Sequence, residues 1–186
     1  MNPLADFDEY GNLIHYSVSP EEWGKFLIEY FDAWIKKDDP RIKIQLFDSL
    51  LQSLLGGEPT VCICQRNCTN FVSIDYDGSI YFCGRFLGDK RFYLGNLKEC
   101  NLNQILKQET FRRISESVSW VRPECRKCKW LRACNGGCPD SRRYKYGHNV
   151  RGRYYFCESM KMILSHMESL LSQYSLLNRF GLTNSS

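Results

Sequence analysis

The chain has 186 residues, 43% of them hydrophobic and 14% aromatic, with a formal net charge of +4. That is enough apolar content for a real core in one domain, or a small domain with an attached piece, and it excludes disorder. Ten cysteines occur without a basic-plus-apolar leader or a run of membrane-spanning length, which argues against a secreted disulfide scaffold and a membrane protein and favours a reducing cytoplasm where cysteines ligate metals.

Residues 1–18 show no strong period and read as a lead-in. Ser19-Pro20-Glu21-Glu22 is a helix start, with Ser19 as N-cap, Pro20 in the first turn and Glu22 closing a capping box. Trp23, Phe26, Leu27, Tyr30, Phe31, Trp34 and Ile35 follow at helical spacing until Lys36-Lys37-Asp38-Asp39-Pro40 ends the pattern. Ile42, Ile44 and Leu46 alternate with polar residues and predict a short strand. Asp48 then caps a second helix bearing Leu50, Leu51, Leu54 and Leu55, stopped by Gly56-Gly57. Helix, strand and helix make a partial α/β segment whose single strand has no partner, so residues 1–60 are expected to be the end of a larger α/β domain.

From Val61 the pattern changes. Cys62, Cys64 and Cys68 share a loop, and Phe71–Asp75 and Ser79–Cys83 flank Asp77-Gly78 as a predicted hairpin. Phe92–Leu97 is a further extended piece and turn. Asn101 caps a helix using Leu102, Ile105, Leu106 and Ile114, and Cys157 opens a last helix with Met160, Ile163, Met167, Leu170, Leu171 and Tyr174 on its apolar face. The tail Thr183–Ser186 is expected to fray. The fold class is therefore α+β: a small hairpin and helices around a cysteine-rich core.

Cys125, Cys128, Cys134 and Cys138 form the run C-x2-C-x5-C-x3-C, four thiols in fourteen residues. Core cysteines occur singly, so this density calls for a soft metal, and Gly136-Gly137 lets backbone approach an inorganic centre closely. A zinc knot, an iron–sulfur cluster and disulfides all satisfy the run on its own. Arg122, Arg126, Lys127, Lys129, Arg132, Arg142, Arg143, Lys145, Arg151 and Arg153 crowd around it. They read as cations offsetting the negative charge of thiolate clusters. The aromatic-interleaved signatures of RNA binding are missing, so a nucleic-acid partner is not expected.

Taken together, Cys68-x9-Gly78-x4-Cys83, the 125–138 run and Cys157 resemble the seven-cysteine signature of the SPASM domain. That domain is the C-terminal extension of radical S-adenosylmethionine enzymes that modify peptides and proteins. Cys62 supplies an eighth thiol, as in sulfatase-maturating members. Ser17–Trp23, Gln45–Asp48 and Leu94–Leu97 are similar to the same group. The resemblance implies two auxiliary [4Fe–4S] clusters: Cys62, Cys68, Cys83 and Cys138 on the first, and Cys125, Cys128, Cys134 and Cys157 on the second, four thiolates to each cubane. Cys64 is an alternative eighth ligand, and Cys100 is left as a free thiol. It also implies domains at 1–60 (barrel remnant and linker), 61–178 (auxiliary-cluster domain) and 179–186 (flexible tail).

Function follows as implication: electron transfer and substrate positioning beside a peptide or protein substrate, a radical S-adenosylmethionine barrel outside this chain, and a flavodoxin- or ferredoxin-type electron partner. The reactive-cluster motif C-x3-C-x2-C fails here, because Cys64-x3-Cys68 is followed by Phe71 where the third thiol belongs. No S-adenosylmethionine site and no catalytic residue are therefore expected in the chain. Gly84 follows Cys83, where sulfatase maturases carry an aspartate, which directs the resemblance toward maturases of ribosomally made peptides. Arg85 is a candidate for seating a peptide. The rival of another class is a zinc-stabilised module whose basic 122–153 region holds an acidic partner or nucleic acid.

Overall fold

The computed structural model describes residues 3, 5–8, 10–66, 68–69, 71–143 and 149–173. Its elements are α1 (Pro20–Lys37), α2 (Gln45–Leu54), β1 (Ser73–Ile74), β2 (Ser79–Tyr81), β3 (Tyr93–Asn96), α3 (Leu102–Leu106), α4 (Glu109–Val118), α5 (Pro123–Arg126), α6 (Leu131–Cys134) and α7 (Cys157–Gln173), joined by short 3-10 turns. This is an α+β fold. Two compact units divide the chain, one from residues 1–65 with 121–186 and the other from 66–120. Tyr174, Lys145 and the tail expected to fray lie outside the described residues.

The first unit is helical. α1 starts as its sequence dictates: the Ser19 hydroxyl accepts from the Glu22 amide, Glu22 reaches back to the Ser19 amide at 3.1 Å, and Pro20 occupies the first turn. Acids in its first turn and Lys36 and Lys37 in its last complement the helix dipole. Replacing Ser19 with alanine removes one half of the box and is expected to cost about 1 kcal/mol. Thermal unfolding checks this, and an unchanged Tm would contradict it.

α1 packs along α7, with Leu27 and Phe31 buried on one side and Met160, Ile163, Leu164 and Met167 on the other, in one core with Phe47 and Leu50 of α2. Fully burying one such side chain stabilises by roughly 1.5–3 kcal/mol. The apolar stripe of α1 is wider than its buried face. Phe26 and Tyr30 remain 44% and 39% exposed, stacked on Trp23 and on each other.

The strand expected at Ile42–Leu46 does not form. α2 begins at Gln45, with Ile44 at the cap position, so Leu46 joins Phe47, Leu50 and Leu54 at helical spacing. Three alternating residues are too few to separate period 2 from period 3.6 when the third already belongs to the next helix. The extended piece before it is held without a strand partner, because the Trp34 indole donates to the Ile42 carbonyl at 2.9 Å. Asp48 is accordingly not a cap. It lies in the first turn, its amide bonded to the Ile44 carbonyl. The lead-in is more regular than its composition predicts: Phe7 bridges Leu13, and Asp8 receives the amides of Tyr10 and Asn12.

The second unit is a three-stranded antiparallel sheet with two helices. β1 and β2 pair across the Asp77-Gly78 turn as expected, with Ile74 opposite Ile80, though both strands are shorter than predicted. The Phe92–Leu97 piece supplies β3, whose Gly95 faces Ile80 across a register shift. Asn101 caps as predicted, in a box with Gln104. The single helix expected after it is two, because Gln108 adopts an extended backbone between α3 and α4.

Candidate metal centre

Four thiols of the first unit meet at one cavity. Pro123 starts α5, which carries Cys125, and the Cys128 amide returns to the Cys125 carbonyl at 3.0 Å, so the C-x2-C pair closes one tight turn. The Leu131 amide then bonds the Cys128 carbonyl, and α6 delivers Cys134 at its last residue. Cys157 enters from the other side as the first residue of α7. Cys125, Cys128, Cys134 and Cys157 all line a cavity of about 590 Å³, with Trp130, Leu131, Tyr154 and Met160 as its apolar wall. The sequence-implied second ligand set is thus assembled within a single packing unit.

Their electrostatics are those of thiols crowded together out of water. Burial pushes Cys134 up to about 12, and the neighbouring Cys157, Cys125 and Cys128 push the same way, while a hydrogen bond from the Gly136 amide opposes them. Cys125 is raised by burial and by Cys157 and Cys128, with the Arg142 charge opposing. Such thiols are costly to ionise unless a cation takes up the charge, which is the condition a metal centre meets.

The donor set suits a cluster. It comprises four soft thiols, a space wider than one ion needs, a backbone amide on a sulfur, and cations at the wall. Among the described residues no three Cys, His, Asp or Glu side chains are grouped closely enough to hold a metal ion as they stand.

The cations were visible in the sequence as a group, and their separate roles were not. Arg153 hydrogen-bonds Cys157 and pairs with Glu158, and the Cys157 contact holds its guanidinium above its usual range. Lys161 pairs with Glu158 at 3.2 Å, lies one turn after Cys157 and lines the same cavity. Arg122 pairs with Glu124 at the cavity wall. Others of the basic group serve packing: Lys129 bridges to Glu168 at 2.8 Å, and Arg132 donates to the Gly56 carbonyl.

The remaining cysteines are divided between the two units. Cys62 and Cys138 belong to the first, and Cys68 and Cys83 to the second. Cys62 is exposed, whereas Cys64 is 1% exposed within the hydrophobic core, its thiol pushed far up by burial. That environment suits a core thiol and leaves Cys62 the more accessible ligand. Cys100 is part-buried and lies 3.6 Å from the Asn96 carbonyl.

The glycine amides near the cysteines go to different partners. Gly136 donates to Cys134, but Gly137 bonds the Cys134 carbonyl and Gly78 the Asp75 carbonyl, so those two amides are spent on turns. Of the aromatics near the cysteines in the sequence, Trp130 and Tyr154 line the cavity. Tyr155 packs edge-on against Phe7 and Phe156, Tyr81 against Tyr93, and Phe82 against Phe111.

Comparison with known proteins bears on the family resemblance, and the relatives it gives are sulfatase-maturating enzymes rather than the ribosomal-peptide maturases toward which Gly84 directed the expectation. Residues 62–129 match the family model of SPASM, an iron–sulfur cluster-binding domain. The chain is 33% identical over 165 residues to the serine-type anaerobic sulfatase-maturating enzyme of Bacteroides thetaiotaomicron, covering 88% of this chain and 39% of that protein. It is 32% identical over 163 residues to the cysteine-type enzyme of Clostridium perfringens, covering 87% and 43%. Among solved structures it superposes with a TM-score of 0.74 on anSMEcpe with bound AdoMet, at 27% identity, covering 100% of this chain and 46% of that one. A form of anSMEcpe with AdoMet and the Kp18Cys peptide gives 0.75 at 29% identity, covering 98% and 48%. The chain therefore spans under half the length of the relatives it matches. None of these matches points to zinc, and no described helix is long and apolar enough to cross a membrane.

Proposed function

We propose that this chain, whose residues 62–129 match the model of the SPASM iron–sulfur cluster-binding domain, is the auxiliary-cluster part of a radical S-adenosylmethionine maturase of peptides or proteins. The observation that carries the reading is the cavity on which Cys125, Cys128, Cys134 and Cys157 converge. Those four thiolates would hold one [4Fe–4S] cluster. Cys62, Cys68, Cys83 and Cys138 would hold the other, a set that rests on the sequence resemblance alone. Bound there, such clusters supply one-electron acceptance and release.

The chain's own residues set the conditions for that chemistry. Trp130, Tyr154, Leu131 and Met160 form the apolar part of the thiol cavity's wall. The Gly136 amide donates to Cys134, favouring its thiolate, and the Arg153 guanidinium donates to Cys157. The peptide bound in a structural neighbour belongs to that neighbour; a peptide substrate, a barrel domain and an external electron carrier enter here as parts of the proposal. Retained electrons rather than bond-making chemistry are the role assigned to this chain, because its cysteines lack the third position of C-x3-C-x2-C.

Anaerobic reconstitution tests this directly. The chain is expected to bind about eight irons, two four-iron cubanes, and to turn brown with a reducible cluster signal. Stoichiometric zinc in a colourless protein would refute the assignment.

A further inference from the structure

Arg142 is 5% exposed, a burial that sets it apart from the other arginines around the cysteines. It sits at the end of the 3-10 turn Asp140–Arg142. Its fork is spent on the loop that links Cys134 to Cys138. Nε donates to the Gly136 carbonyl at 2.9 Å, and Nη2 donates to the Gly137 carbonyl at 2.7 Å and to the Asn135 carbonyl at 3.4 Å. Asn135, Gly136 and Gly137 all have left-handed backbones, with φ of 48°, 79° and 68°. Of the three only Asn135 carries a Cβ, so its left-handed backbone is the costly one unless something fixes it.

One peptide unit connects this clamp to the metal cavity. The Asn135 carbonyl faces Arg142, and the amide at the other end of the same peptide, that of Gly136, donates to the Cys134 sulfur. The guanidinium thus polarises the peptide in the sense that strengthens its N–H toward sulfur. Gly136 also lines the cavity, and a Cβ on it would meet Arg142 Nη2 at 3.3 Å. The buried charge is therefore close to the cavity wall and weakly screened.

We infer that Arg142 is a positioning residue that raises the reduction potential of the cluster held by Cys125, Cys128, Cys134 and Cys157. It does so through its buried charge and through the Gly136 amide it holds on the Cys134 sulfur. A positive charge and a hydrogen bond both stabilise the reduced, more negative cluster. The inference rests on the cluster assignment above.

Two variants of the whole chain, reconstituted anaerobically, test it. Arg142→Gln keeps a donor and removes the charge; Arg142→Lys keeps the charge and removes the fork. Redox titration followed by electron paramagnetic resonance should place the potential of this cluster lower in Arg142→Gln than in wild type, with Arg142→Lys between them and iron content unchanged. Equal potentials in all three proteins would overturn the inference, as would loss of this cluster from both variants, which would make Arg142 an assembly residue only. A wild-type chain that takes up no iron would instead sink the cluster assignment, and this inference with it.

Discussion

Replacing Cys134 with serine is expected to remove about four irons per chain, one whole cubane, and to leave the signal of the other cluster in place. Cys134 is the residue for this test because its sulfur has the most to lose. Burial and three neighbouring thiols hold it protonated, up to about 12, in the absence of a metal. A cluster reverses that balance, and its binding free energy becomes folding free energy for the elements that carry the ligands. Those elements are α5, α6 and the start of α7, and α7 is half of the main helix pair. The variant should therefore unfold at markedly lower temperature than the reconstituted wild type. Cys134→Ala separates ligation from polarity. It should lose the same iron, while sparing the chain a buried hydroxyl that costs about 1–3 kcal/mol when unsatisfied. Iron analysis, electron paramagnetic resonance and thermal unfolding read the three effects. Full iron in the serine variant would contradict the ligand assignment, and loss of both signals would contradict the partition into two sets.

Gly137→Ala should be strongly damaging although it removes no thiol. A Cβ at Gly137 would fall inside van der Waals contact with Cγ, Cδ1 and Cδ2 of Tyr154, and the site has a φ of 68°. Tyr154 is itself buried and lines the thiol cavity, so it has nowhere to retreat without opening that wall. Overpacking of this kind costs about 1–3 kcal/mol, and a left-handed backbone on a residue with a Cβ adds about 1–2 kcal/mol. Chemical denaturation is expected to show a loss of about 2–5 kcal/mol from the two together. The variant should also take up less iron, because both Cys134 and Cys138 flank the displaced loop. Wild-type stability would mean that Tyr154 moves freely, which its packing against Phe156 at a centroid distance of 6.1 Å opposes.

The two substitutions probe different layers of one loop. Cys134 tests the bond to the metal; Gly137 tests the shape that presents it. Arg142 stands between them, holding the carbonyl side of the loop so that an amide is left for sulfur.

Much of this arrangement was legible in the order of residues. Ser19, Pro20 and Glu22 determine where α1 begins, because capping is a contact among neighbours and needs nothing distant. Asp77-Gly78 and Asn101 act in the same local way. Cysteine spacing carried the resemblance, and Cys125-x2-Cys128 closes a tight turn through a bond between near neighbours. The short run Ile42–Leu46 misled for a complementary reason. A strand needs a partner that three residues cannot specify, and here an indole satisfied the backbone instead.

What only the tertiary structure decided is which of several similar residues does what. Ten arginines and lysines around the cysteines are equivalent in a sequence, but burial and three carbonyls distinguish Arg142, and contact with Cys157 distinguishes Arg153. Cys62 and Cys64 differ by two positions and by opposite environments, one exposed and one in the core. Periodicity and spacing are one-dimensional and report contacts between near neighbours. Charge placement, burial and the choice among like residues depend on segments far apart in the chain, and they are settled only where α6, the loop after it and α7 meet.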